Sequence, residues 1–132
     1  MINSGNLGLA ALLTGETGIA SQAFREELTL CRDMVVRIVV GEGLRGLGAV
    51  AVVDGDDERA ATLVGAADGH RYDRPEDPVD ARLEAAFFGP ARTRCGTDAW
   101  DTATRRGSAL SFGDAIAFAL DEPRRVDRRA SA

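Results

Sequence analysis

The sequence predicts an all-α protein built from antiparallel helical hairpins, and three observations lead there. Between Gly43 and Arg71, Leu44, Leu47, Gly48 and Ala51 recur at i, i+3, i+4 and i+7. Gly55-Asp56-Asp57 breaks the run, and Ala60, Leu63, Val64 and Ala67 then repeat the spacing, which describes two helices joined by a turn, each with one apolar stripe. Small residues form the second observation: Gly48, Ala60 and Ala67 fall where antiparallel helices must approach closely, and a bulkier side chain would push the pair apart. The third is repetition, because Leu7-Gly8 is followed by Ala20 and Phe24 as Leu47-Gly48 is followed by Ala60 and Val64, forty residues on, with Glu27 in the last small place. The expected architecture is about seven helices in a short right-handed solenoid or bundle.

Residues 1–6 lack periodicity and are expected to be disordered. Leu7 to Leu13 reads as a short apolar helix stopped by Thr14-Gly15, with Gly15-Glu16-Thr17-Gly18 as turn chemistry. The next helix, 17–32, sets Ala20, Phe24, Leu28 and Cys31 on one face and leaves Arg25, Glu26 and Glu27 to solvent. Met34 to Val40 is β-branched and favours a strand on propensity alone. Followed by Gly41-Glu42-Gly43-Leu44-Arg45-Gly46, it makes a formal G-x-G-x-x-G, the dinucleotide fingerprint. That reading fails on distance, since a second strand ending at Asp54 leaves only a few residues for a crossover helix. Residues 34–54 are therefore read as one long buried helix whose glycines permit close packing.

Asp54, Asp56 and Glu58 alternate like a calcium loop, but Arg59 stands where glycine is needed and Gly65 where a bidentate Glu belongs. The same acids make a turn whose Asp56 or Asp57 caps the following helix. His70, the single histidine, sits near that helix's end and reads as a surface or C-terminal-turn residue. A Pro-rich loop at 73–78 separates two hairpins at 7–72 from a C-terminal three-helix cap at 79–122. The first cap helix, from Val79 or Asp80 to Arg94, turns Leu83, Ala86, Phe87 and Phe88 inward, with Pro90 kinking or ending it. Thr97 caps a second, with Ala99, Trp100 and Ala103 facing the core, and Ser111-Phe112-Gly113-Asp114 resembles a capping box opening the last, with Phe112, Ala115, Ile116, Ala119 and Leu120 buried. Leu83, Phe87, Trp100, Phe112, Ile116 and Leu120 are the expected C-terminal core. Pro123 stops the last helix, and 123–132 is a charged tail expected to be disordered; its Arg128-Arg129-Ala130-Ser131 resembles a basophilic kinase site too short to mean anything.

The chain has 132 residues, a formal charge of −5 and sixteen basic residues, all arginine. A net negative chain argues against a general nucleic-acid or membrane surface. No secretory apolar core or membrane-length span occurs, which makes the cytoplasm the expected location and Cys31 and Cys95 buried free thiols. Two cysteines and one histidine, scattered, do not make a zinc site, and without lysine there is no Walker A motif. No enzyme and no cofactor are expected.

The Leu-Gly, Ala, large apolar, Ala spacing resembles the tetratricopeptide repeat, with Gly8, Ala20 and Phe24 in the first unit and Leu47, Gly48, Ala60, Val64 and Ala67 in the second. The segments NLGLAALLTGE, AFREELTLCRD, EGLRGLGAVAVVDGDDERAATLVGAADGHR and AWDTATRRGSALSFGDAIAFAL, over roughly Asn6 to Pro123, resemble the C-terminal helical-repeat region of LuxR-type regulators and related signal-transduction ATPases common in actinobacteria. In that family such a region follows an ATPase domain, holds it off, relays an effector signal or docks partners. Neither ATPase motifs nor a DNA-reading helix are found here. The resemblance suits a fragment, a shortened paralogue or a truncated product alike.

Its implication is a non-catalytic interaction or signal-coupling module, with a concave groove along the first helices of the two units and Arg37, Glu42 and Arg45 as candidate contacts for a protein partner or another domain. The outer face of 7–32, lacking a neighbouring repeat, would be apolar and favour a homodimer. The alternative is a small-molecule sensor with a pocket between the repeats and the C-terminal helices.

Overall fold

The computed structural model describes residues 4–34, 40–71 and 78–121, and among them every regular element is a helix. Seven helices follow in order: α1 Ser4–Leu13, α2 Thr17–Met34, α3 Val40–Val53, α4 Asp57–Gly69, α5 from Pro78 to Cys95, α6 Thr97–Ser108 and α7 Phe112–Ala119. Strands are absent from the described residues, and the glycines of the G-x-G-x-x-G segment, Gly41, Gly43 and Gly46, lie inside α3. The disordered start expected at 1–6 is corrected from Ser4, where α1 begins. The single helix expected over 34–54 is corrected at its beginning: Met34 is the last residue of α2, α3 opens at Val40, and 35–39 lie outside the described residues, as do most of the 73–78 loop and the tail from 122.

Both leading hairpins close with the same turn. Gly15 (φ +81°) donates to the Leu12 carbonyl and Glu16 to Ala11; forty residues later, Gly55 (φ +84°) donates to Val52 and Asp56 to Ala51. This pattern satisfies the last carbonyls of a helix through one left-handed residue, a conformation that costs glycine little. Helix α2 starts at Thr17, where the sequence places it, and runs two residues past 32 to Met34. At the second turn, the Asp56 carboxylate caps α4 by accepting from the Arg59 amide at 3.0 Å.

Helix α3 is the core of the molecule, buried at almost every position between Val40 and Ala51. Its glycines are sockets. Phe24 of α2 (2% exposed) drives its ring between Gly8 of α1 and Gly46 of α3, where a Cβ on either glycine would collide with the ring, and Leu28 fills the space over Gly43 in the same way. On the far side, Gly48 lies against the Phe88 ring and the Ala60 carbonyl of α4. Ala20, Leu47, Ala60, Val64 and Ala67 are all buried, as the repeat spacing requires.

Helix α5 begins as an α-helix over Pro78–Leu83, widens to a π-helical turn over Glu84–Phe88 and continues as an α-helix over Gly89–Cys95. Pro90 explains the widening: it has no N–H, its ring crowds the carbonyl four residues back, and the wider turn lets Gly89 donate to Glu84 instead. The chain therefore neither stops nor breaks at Pro90. The extra residue rotates the helix, burying Phe88 against Trp100 (rings 6.4 Å apart) while Phe87 is half-buried and Ala86 exposed, a correction to the inward face expected here.

Helix α6 packs along α4 through glycine. A Cβ on Gly65 would overlap the Thr104 carbonyl and one on Gly107 the Thr62 carbonyl, so the two backbones touch. Two further expectations are corrected. Gly96 (φ +98°) rather than Thr97 occupies the N-cap of α6, and Ala99 faces outward while Trp100, Ala103 and Gly107 form the buried stripe. The Ser111 hydroxyl caps α7 by accepting from Asp114 at 3.1 Å, and Ile116 and Leu120 are buried. Phe112 is only half-buried, its ring edge-on to His70 at 6.2 Å, because it sits at the rim where α7 starts. The α7 C-terminus is held by two guanidiniums: Arg59 donates to the Ala119 carbonyl (2.9 Å) and Arg25 to that of Leu120 (3.0 Å), with Asp121 paired to Arg59.

Candidate functional site

The most unusual chemistry lies where α2 meets α3. Glu27, expected on the solvent side, is 7% exposed, and its Oε1 has no hydrogen-bond partner. It is buried because α2 is covered by α1 on one side and by α3 on the other. Glu42, in the first turn of α3, is half-buried, hydrogen-bonds Glu27 and faces it with a like charge. Gly43 makes the room, for a Cβ there would stand 3.2 Å from Glu27 Oε1. Burial first, then the Glu42 charge, pushes the Glu27 carboxyl up to about 8. Cys31, one turn further along α2, is buried and its thiol is pushed up to about 11 by the same desolvation and by both acids. A thiol so held is a poor nucleophile. In the forty-residue register Glu27 takes the place that Ala67, fully buried, holds in the second hairpin, although its charge reads as a solvent-facing residue.

Of the three candidate groove residues, the two that are described, Glu42 and Arg45, engage partners inside the chain. Arg37 lies outside the described residues. Arg45 is 8% exposed, and its guanidinium is committed to Asp68 at 2.5 Å and Asp80 at 3.8 Å, with Arg71 completing the network at 3.0 and 3.5 Å from the same two carboxylates. That network ties α3, the end of α4 and α5 together, so Arg45 is corrected from a partner contact to an internal tie. Glu42 is turned to Glu27.

What is open is the outer side of the first hairpin. Leu7, Ala10 and Leu13 cover the outside of α1, and Ile19 and Leu30, eleven residues apart and hence on one stripe of α2, are 47% and 55% exposed. A shallow groove of about 690 Å³ runs beside them, lined by Ser21, Gln22, Arg25, Glu26, Leu30 and Leu120. Between the leading hairpins and α7 there is a space of only about 150 Å³, with Arg25, Arg59, Asp54, Asp56 and Asp121 around it. His70 donates through Nε2 to the Leu110 carbonyl at 2.9 Å, tying α4 to the turn before α7. Among the described residues no cluster of three metal-ligating side chains forms, both cysteines are free, and no helix is long and apolar enough to cross a membrane.

The chain matches no protein-family model, no curated protein and no solved structure.

Proposed function

We propose that the chain is a non-catalytic helical-repeat module for protein interaction or signal coupling, similar in its order of segments to the C-terminal region of LuxR-type regulators. In this reading α1–α2 and α3–α4 are successive tetratricopeptide-like units, a view supported by their matching turns forty residues apart. It works in the cytoplasm, binding protein rather than nucleic acid or lipid. The observation that carries the reading is the set of exposed apolar side chains on the first hairpin, Leu7, Ala10 and Leu13 on α1 and Ile19 and Leu30 on α2, the end of the array where a stacked repeat would have its neighbour. Its partner is a further helical unit of a larger regulator or a second copy of the chain. The sensor alternative has less to support it, because the larger space among the described residues, about 690 Å³ between α2 and Leu120, is a shallow open groove and the space enclosed by Arg25, Arg59 and Asp121 is only about 150 Å³.

The test compares wild type with the double variant Leu13→Glu/Leu30→Glu, whose substituted positions are already exposed. Cross-linked pull-down and sedimentation are expected to show partner capture or self-association by wild type and its loss in the variant. Equal behaviour of the two proteins would discard the proposal.

A further inference from the structure

Glu27 on α2 and Glu42 on α3 approach from facing helices and interact directly. Glu27 is more than nine-tenths buried, one of its oxygens has no donor, and its immediate neighbours are Leu28, the Gly43 backbone, the Cys31 thiol and the Glu42 carboxyl. The described side chains of α1, Leu7 to Leu13, contribute no charge, and among the described residues no cation is paired with either acid. Two carboxyls so placed cannot both be ionised without strong repulsion, since desolvation removes the water that would screen them. With one proton between them, the neutral acid donates to its partner and the repulsion disappears.

We propose that the Glu27–Glu42 pair is a proton-operated latch that holds the α1–α2 hairpin on α3 while the proton is shared and loosens it when the proton is lost. The hairpin is attached to the rest chiefly through the seam that contains the pair: Phe24 and Leu28 flank Glu27 on α2, and their sockets, Gly46 and Gly43, flank Glu42 on α3. A second negative charge at this seam works against the contacts beside it. The other half of the molecule has separate ties, namely the α4–α6 glycine contact and the Phe88–Trp100 pair, so loosening is confined to the first hairpin. The latch does not depend on what the outer face of that hairpin binds.

Linkage gives the direction. In the unfolded chain Glu27 releases its proton near 4.5, whereas in the folded chain it keeps it to about 8. The folded state therefore holds more protons across that window, and stability, full below about 4.5, falls as pH rises towards about 8 and stays low above it.

The experiment combines thermal melts from pH 4 to 10, carboxyl-carbon NMR of Glu27, and amide exchange of wild type against Glu27→Gln at one alkaline pH. Wild type should lose melting temperature across the window, Glu27→Gln should lose markedly less, and its α1–α2 amides should exchange more slowly than those of wild type while α4 and α6 match. Should Glu27→Gln fail to fold, Glu42→Gln serves: removing the facing charge should lower the Glu27 midpoint and shrink the alkaline loss. Parallel melting profiles in wild type and variants, a Glu27 carboxyl titrating in the ordinary carboxylic range, or alkaline loosening spread evenly over all helices would each overturn the latch.

Discussion

Phe24 shows how one residue organises its surroundings. A single ring, placed by the turn at Gly15, fills the sockets of Gly8 and Gly46 at once, so the glycines of the G-x-G-x-x-G segment receive a side chain rather than a phosphate. The pattern in the sequence is real, and the physics behind it is close approach in both cases; what differs is what approaches. Cysteine chemistry belongs to the same scale. Cys31 is buried with its thiol pushed up to about 11, while Cys95 is partly open to solvent. A thiol reagent at pH 8 should label Cys95 in the native chain and reach Cys31 only after denaturation, as mass mapping of the labelled peptides will show. Rapid native labelling of Cys31 would contradict the packing of α2 on α3. That Cys31 is apolar core was readable from its spacing with Phe24 and Leu28. That Glu27 joins it was not, because a glutamate beside Arg25 and Glu26 looks like part of a solvated face, and only the coverage of α2 from two sides removes the water.

At the scale of elements, the decisive contact is backbone on backbone between α4 and α6. Gly65 and Gly107 each lie against a carbonyl of the opposing helix, which cannot move as a side-chain tip can. Gly65→Ala or Gly107→Ala should therefore cost about 3 kcal/mol or more in chemical denaturation. Gly113 is the control: it is helical, exposed and faces open space, so Gly113→Ala should stabilise the chain by about 0.5–1 kcal/mol. Similar small effects at all three positions would mean that the helices stand further apart. Helix α5 illustrates where element reading fails. Its boundaries are close to those the pattern predicts, but Pro90 is accommodated by one wide turn, and that turn decides which phenylalanine enters the core. A periodicity of 3.6 cannot foresee a local change of period.

The molecule as a whole is closed by its last helix. Residues far apart in the chain meet at the end of α7, where Arg25 donates to the Leu120 carbonyl, Arg59 donates to that of Ala119 and Arg59 also stacks over the Phe118 ring at 5.0 Å. The Arg59 guanidinium is the more shielded of the two, and a charge-assisted bond at a helix C-terminus is stronger than one between neutral groups. Arg59→Ala should lower unfolding free energy by about 1–2 kcal/mol, measured by urea denaturation, and Arg59→Lys should restore only part of it because an ammonium cannot serve the carbonyls and Asp121 in one plane. An unchanged midpoint in Arg59→Ala would show that α7 is held by its apolar face alone.

By itself, the sequence determined the helical class, the two matched hairpins, the small residues at their contacts and the caps at Asp56 and Ser111, because each of these follows from spacing and local backbone chemistry within a turn or two of helix. Only the tertiary structure decided that Glu27 loses its water beside Glu42, that Arg45 is an internal tie, that Phe88 rather than Phe87 fills the core, and that α6 lies on α4 through glycine. Those outcomes depend on which surfaces cover one another across long stretches of chain, and burial, unlike periodicity, is a property of neighbours.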